Sequence, residues 1–199
     1  MAQTHTGVID EPPQAGGPVI DNPQTGERMV IRRSTTDTGG SLFAFELFLA
    51  PDGHVPGAHV HPFQEERFRV VRGHMRFLHG LRHVGAGPGE TVTVTPGTIH
   101  RFQNAGDEEA HVIVEVRPAL RMEELLRTTA DLAREGRTLP NGMPRPLDFA
   151  LFLEEFEREL AVPVLPGGLV RAAIAPLARA ARRRGLDARY RGLAGRIAA

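Results

Sequence analysis

Two stretches of the sequence decide the fold: GHVPGAHVHPFQEERFRVVRG at residues 53–73 and GETVTVTPGTIHRFQN at residues 89–104. Residues i and i+2 of an extended strand point to the same side, so His59 and His61 project together from the first stretch. Glu66 follows in the same stretch, and the second stretch supplies a third imidazole, His100. Three imidazoles and one carboxylate form a donor set suited to a first-row divalent metal. A barrel interior could bring His100 opposite the other three and leave coordination positions open for water or substrate.

Short apolar segments alternate with Gly, Pro, Asn and Asp clusters as far as residue 118. In LFAFELFLA at 42–50, alternate residues from Phe43 to Leu49 share one face while Glu46 lies on the other. The pattern predicts strands at about 27–33, 41–49, 56–61, 66–72, 74–79, 91–95, 99–104 and 110–117. Many short strands at this spacing indicate a mainly β, antiparallel sandwich or barrel.

After Pro118 the apolar periodicity becomes helical, in RMEELLRTTADLAREG (121–136), LDFALFLEEFEREL (147–160) and GLVRAAIAPLARAARRR (168–184). Gly136 is placed to end the first helix, and Pro176 to kink the last. We therefore divide the chain into a flexible N-terminal lead (1–20), a β-barrel (21–118) and a C-terminal helical extension (119–199).

The two stretches resemble the conserved motifs of the cupin superfamily. The first has the spacing G-x5-H-x-H-x4-E-x6-G, filled by Gly53, His59, His61, Glu66 and Gly73. The second has the spacing G-x5-P-x-G-x2-H-x3-N, filled by Gly89, Gly97, His100 and Asn104, except that Thr95 replaces the proline and Pro96 follows it. The short segment between Gly73 and Gly89 is similar to that of a small single-domain cupin with a jelly-roll-like barrel.

By this resemblance, the metal ligands are His59, His61, Glu66 and His100. Glu65 is the competing carboxylate, but strand parity and the spacing to Gly73 favour Glu66. The resemblance gives Gly53, Gly73, Gly97 and Asn104 structural roles. Parity predicts a largely apolar pocket, lined by Phe68, Val70, Phe102, Phe45 and Leu47.

Composition excludes several kinds of chemistry. All 24 basic residues are Arg, so a Schiff-base lysine and a phosphate-loop lysine are excluded. The absence of Cys excludes disulfides, thiolate nucleophiles and Fe–S clusters built on this chain. Basic and acidic residues are equal in number and there is no Trp, so we expect no nucleic-acid partner.

Our leading hypothesis is an enzyme, with dioxygenase, isomerase or cyclase-like chemistry at a three-His, one-Glu metal and a small apolar or aromatic oxygenated substrate. The alternative is a non-catalytic cupin that binds or senses a small ligand. The cofactor would be one divalent transition metal, and the donor set leaves Fe, Mn, Ni, Cu, Co and Zn open.

We also expect a homodimer, because an exposed sheet edge near residues 21–33 could pair with a second copy. The chain shows no secretory signal or apolar span in its sequence, so the cytoplasm is the expected compartment. The Arg-rich C-terminal helix could lie on an anionic membrane, but packing on the barrel or across a dimer is the favoured interpretation.

Overall fold

The computed structural model describes residues 16–163 and 167–190, so most of the expected N-terminal lead lies outside the described residues. The nine strands are β1 Val19–Asn22, β2 Glu27–Arg33, β3 Phe43–Leu49, β4 Glu65–Arg72, β5 Met75–His79, β6 Arg82–Ala86, β7 Thr91–Val94, β8 His100–Asn104 and β9 Ala110–Arg117. The helices are α1 Met122–Arg134, α2 Pro146–Glu155 and α3 Gly167–Arg183, followed by a short 3-10 helix, Leu186–Arg189.

The strands form two antiparallel sheets. One has six strands in the order β1-β2-β3-β9-β4-β7, and the other has three in the order β6-β5-β8. Within the described residues the two sheets are not joined into a closed barrel, and the arrangement is that of a jelly-roll sandwich. The prediction of a mainly β, antiparallel fold followed by helices is confirmed.

The strand predictions differ from the structure in three places. Segment 56–61 forms only isolated bridges, His59 with His100 and Val60 with Ala161, since prolines bound it at Pro56 and Pro62 and cannot donate to a strand ladder. Strands β1 and β6 were not predicted, since β1 has four residues and β6 is largely exposed and contains Gly85. Strand β1 lies at the edge of its sheet, and pairing with a second copy stays a prediction.

The core lies where alternate residues of the two sheets face each other. Phe68 of β4 packs against Phe77 of β5 and Phe102 of β8, with ring centroids 5.3 and 5.4 Å apart. On the opposite face of the six-stranded sheet, the side chains of Glu46 and Glu115 are buried next to arginine side chains, such as Arg32 beside Glu46. Apolar contact between the sheets is therefore the main source of stability, at about 25 cal/mol per Å² of buried apolar surface.

The helical segments fall close to the predicted ranges. Gly136, at φ 65°, follows the end of α1 as expected for a left-handed C-terminal residue. Helix α3 runs through Pro176 and buries Ala178 and Ala181. Arg171 is paired with Glu157 of the segment after α2 at 3.2 Å. Within residues 16–163 and 167–190, no helix has both the length and the apolar character needed to cross a membrane.

Candidate metal centre

Backbone hydrogen bonds join the two motifs at the point where the sheets meet. The N–H of His59 donates to the carbonyl of His100 at 3.0 Å, and the N–H of His100 donates back at 2.9 Å. The N–H of Gly97 donates to the carbonyl of His61 at 2.9 Å. Residues 36 or more positions apart in the sequence are therefore held side by side by the main chain.

The three imidazoles converge. A ring nitrogen of each of His59, His61 and His100 lies within 4.8 Å of the others. Glu66, on β4, places its Oε2 atom 3.0 Å from Nε2 of His100 and 3.3 Å from Nε2 of His61. The structure thus brings together the four residues that the motif resemblance assigns as ligands, and His100 is fully buried.

Each imidazole is oriented by a backbone carbonyl that accepts a hydrogen bond from its Nδ1–H. The carbonyls belong to Gly57 for His59 at 3.0 Å, to Thr98 for His100 at 3.0 Å, and to Glu159 for His61. Because a carbonyl can only accept, Nδ1 carries a proton in all three rings, and Nε2 is the atom that each neutral ring offers to a ligand. A second hydrogen bond of this kind is the usual support of a metal-ligating histidine.

Electrostatics in the cluster suit a cation. Burial, with His61 and His100 nearby, lowers the pKa of His59 to about 3, so this imidazole is neutral near pH 7. Burial alone would raise the pKa of Glu66, but its histidine neighbours outweigh burial and hold this pKa well below its usual value. Burial likewise opposes protonation of His61, yet the Glu66 carboxylate raises its pKa. Glu66 is therefore a buried carboxylate anion among imidazoles.

The donor atoms fit a divalent transition metal. Nε2 of His61 is buried without a hydrogen bond of good geometry, although Glu66 Oε2 lies 3.3 Å away, and a cation held between these two groups would satisfy both. Three imidazole nitrogens and one carboxylate oxygen match the preferences of first-row divalent ions. His59, His61, His100 and Glu66 would hold the ion.

A mostly apolar cavity of about 140 Å³ opens beside the cluster. His59, His61 and Glu66 form part of its wall. Four of the predicted pocket residues line it, namely Phe45, Leu47, Phe68 and Phe102. Val70 does not line it: this residue shares the face of Glu66 and Phe68 but lies further along β4, fully buried in the core.

The helical extension forms the remaining wall of the cavity, which the sequence analysis did not predict. Helix α1 contributes Leu125, Leu126 and Thr129, and α2 contributes Phe149 and Phe152. The chain after α2 pairs with the metal-site segment through reciprocal backbone hydrogen bonds between Val60 and Ala161 at 3.1 and 2.9 Å. The same segment supplies the Glu159 carbonyl that orients His61. The extension is therefore part of the site.

The motif residues that were assigned structural roles lie in turns or at strand ends. Gly73 has φ 81°, and a Cβ there would lie 2.8 Å from Cα of Ala110. Gly97 has φ 79°, which also favours glycine. At Gly53 a Cβ would lie 2.7 Å from a Leu49 methyl carbon. The Asn104 amide donates to the carbonyls of Leu49, Ala50 and Glu108 at 3.0, 3.1 and 2.7 Å, and its Oδ1 accepts from the N–H of Gly106 at 2.9 Å.

Sequence reasoning also missed Glu27, a carboxyl group on β2 that lines the cavity and lies outside the two motifs. Thr25 Oγ1 donates a hydrogen bond to its Oε2 at 2.6 Å. Burial raises the pKa of Glu27 to about 7, while the Thr25 bond and His54 partly oppose the rise. The signal was present in the sequence, because Glu27 alternates with Met29 and Ile31 on an otherwise apolar strand face.

The chain thus combines an antiparallel two-sheet fold with a group of three histidines at a cavity wall. Residues 45–116 match the family model described as a cupin domain, and the motif resemblance is confirmed over that part of the chain. No curated protein matches the chain significantly.

Three of the solved structures similar to the chain illustrate the likeness in fold. The cupin domain of Cnp3 from Schizosaccharomyces pombe is 11% identical, with 55% of this chain and 71% of that chain covered and a TM-score of 0.43. A protein described as a predicted oxalate decarboxylase from Thermotoga maritima is 18% identical, with 46% and 80% covered and a TM-score of 0.44. KdgF from Halomonas sp. is 16% identical, with 49% and 85% covered and a TM-score of 0.43.

Proposed function

We propose that this protein is a metal-dependent cupin enzyme that acts on a small apolar or aromatic oxygenated molecule. The observation that carries the proposal is the position of the donor cluster: His59, His61 and Glu66 face an apolar cavity. A purely structural metal site would be closed by protein ligands, whereas a catalytic site keeps a position open to a ligand.

The volume of the cavity limits the size of the substrate that can bind. Its volume of about 140 Å³ is close to the ~150 Å³ of an apolar protein cavity that binds benzene. A single aromatic ring, or an aliphatic group of that size, therefore fits between the sheets and the helical extension. Phe68, Phe102 and Phe152 on the wall favour the apolar part of such a molecule over a sugar phosphate.

The chain's own residues would position the reaction. The three Nδ1–H bonds fix the imidazole rings, and Glu66 adds one negative charge to the donor set. A bound divalent metal would supply Lewis-acid polarisation of a substrate oxygen, or oxygen chemistry if it is redox-active. The aromatic walls would exclude water from the reacting groups, which strengthens electrostatic interactions there. Dioxygenase, isomerase and cyclase-like reactions are all compatible with these roles.

The second candidate is a non-catalytic cupin that binds or senses a small ligand. It is favoured by the scarcity of polar groups on the cavity wall: apart from the donor cluster, the described lining contains only Asn22, Glu27 and Thr129 as polar side chains. General acid–base catalysis needs such a group within hydrogen-bond reach of the substrate.

Elemental analysis of protein purified without a metal-affinity step tests the proposal. We expect close to one Fe, Mn, Ni, Cu, Co or Zn ion per chain in the wild type, and its loss in a His59→Ala, His61→Ala double variant. Oxygen-uptake and product screens with single-ring aromatic substrates then separate enzyme from binder. A wild type that takes up no metal after reconstitution would contradict the proposal.

A further inference from the structure

The cavity wall carries two further buried polar residues, both from the hairpin of β1 and β2. Asn22 and Glu27 are cross-strand partners in this hairpin, and both line the cavity. Their side chains are almost fully buried, with 4% and 7% of their surface exposed. Neither residue belongs to the cupin motifs or to the donor cluster.

The Glu27 carboxyl is incompletely satisfied by protein groups. Among the described residues, Thr25 provides its one hydrogen bond, and no cationic nitrogen lies within 4.0 Å of it. His54 is an ionisable residue close enough to Glu27 to affect its charge. The backbone N–H of His54 donates to the Thr25 carbonyl in the same hairpin at 3.1 Å. A buried carboxyl without a cation is costly, and such groups commonly mark a place where a ligand supplies the missing hydrogen bond.

We propose that Glu27, with Asn22 beside it, forms a second ligand subsite that takes the hydroxyl group of a small aromatic or apolar alcohol. The inference deepens the proposed function, on which it rests for the identity of the cavity as the ligand site. The ligand would place a hydroxyl at the hairpin, its apolar body against the phenylalanine wall, and any metal-binding oxygen toward the donor cluster.

A hydroxyl group matches this subsite better than a charged group does. It donates to Glu27 when the carboxyl is ionised and accepts from it when the carboxyl is protonated. An anionic ligand group would be repelled by the ionised form, and an ammonium group would lose its hydration among apolar side chains. The subsite therefore selects phenols and small alcohols over hydrocarbons of the same shape.

Calorimetric titrations of the full chain with phenol and with toluene test this inference, because the two probes differ only by a hydroxyl in place of a methyl group. The proteins compared are the wild type, Glu27→Met, which removes hydrogen bonding, and Glu27→Gln, which keeps it. We expect the phenol-to-toluene affinity ratio to fall about tenfold in Glu27→Met, the loss of one buried hydrogen bond, and to stay within about threefold in Glu27→Gln. Thermal unfolding of each variant shows that it is folded.

The His59→Ala, His61→Ala variant separates this inference from the proposed function. A ratio that is retained in this variant and lost in Glu27→Met supports the hydroxyl subsite, whether or not the wild type holds a metal. If the phenol-to-toluene affinity ratio is retained in Glu27→Met but lost in the double-histidine variant, the donor cluster is the group that binds the hydroxyl. That result overturns the Glu27 subsite and leaves the proposed function standing. Absence of detectable binding of either probe to the wild type also overturns it.

Discussion

The buried Glu27 carboxyl makes the stability of the protein depend on pH. Burial raises its pKa from 4.5 to about 7 in the folded chain. Below pH 4.5 the group is protonated in both states and the folded state bears no penalty. Between pH 4.5 and 7 the folded state retains a proton that the unfolded state has released, so the free energy of unfolding falls as pH rises. Each pH unit between these two pKa values lowers the free energy of unfolding by about 1.4 kcal/mol, so the rise from 4.5 to about 7 lowers it by roughly 3 kcal/mol in total.

A comparison of the wild type with Glu27→Gln isolates this effect, since the amide does not titrate and the Thr25 hydroxyl can still donate to it. Urea unfolding at several pH values from 4.5 to 8 gives the free-energy difference between the two proteins. We expect the wild type to lose stability relative to Glu27→Gln across this range, by roughly 3 kcal/mol in total. The exposed Glu108→Gln is the matched control for removal of one carboxylate. A difference between wild type and Glu27→Gln that stays constant with pH would refute the reasoning.

Three further predictions concern turns and cavity walls. Gly73→Ala should lower the free energy of unfolding by roughly 2–4 kcal/mol, because φ is 81° there and the new Cβ would lie 2.8 Å from Cα of Ala110. The control Gly39→Ala, at φ 58° with no atom within 4 Å, should lower it by only about 1 kcal/mol. Equal losses in chemical denaturation would show that the close contact is unimportant. Asn104→Ala should cost roughly 2–4 kcal/mol, since three carbonyls lose their side-chain donor, and a loss below about 0.5 kcal/mol would count against that role. Leu126→Trp should fill the cavity and abolish toluene binding while metal content is unchanged, and retained toluene affinity would place the ligand elsewhere.

The donor cluster could be predicted because it depends on local rules. The i, i+2 spacing places His59 and His61 on one side of an extended segment, and strand parity separates Glu66 from Glu65. Glycines with positive φ, such as Gly73, mark the turns that bring the motifs together. Pairing of His59 with His100 follows from the family's motif order, which the sequence preserves apart from Thr95.

The rest of the site depends on long-range contacts that no local pattern specifies. The Glu159 carbonyl that orients His61 lies 98 residues away in the sequence. The helical periodicity of 121–136 predicted α1, but periodicity does not show whether the apolar face of a helix covers a core or a ligand cavity. Val70 was wrongly predicted to line the pocket, because strand parity shows which face a side chain is on but not whether its position along the strand reaches the cavity.

The central claim is that His59, His61, Glu66 and His100 together hold one divalent metal. Calorimetric titration of Co²⁺ into chelator-treated protein tests it most directly, with His100→Ala as the variant and His79→Ala, at a half-buried histidine outside the donor cluster, as the control. The account predicts one ion per chain in the wild type and in His79→Ala, and an affinity at least about 100-fold weaker in His100→Ala. Equal Co²⁺ affinity in wild type and His100→Ala, or no binding to the wild type, would contradict it.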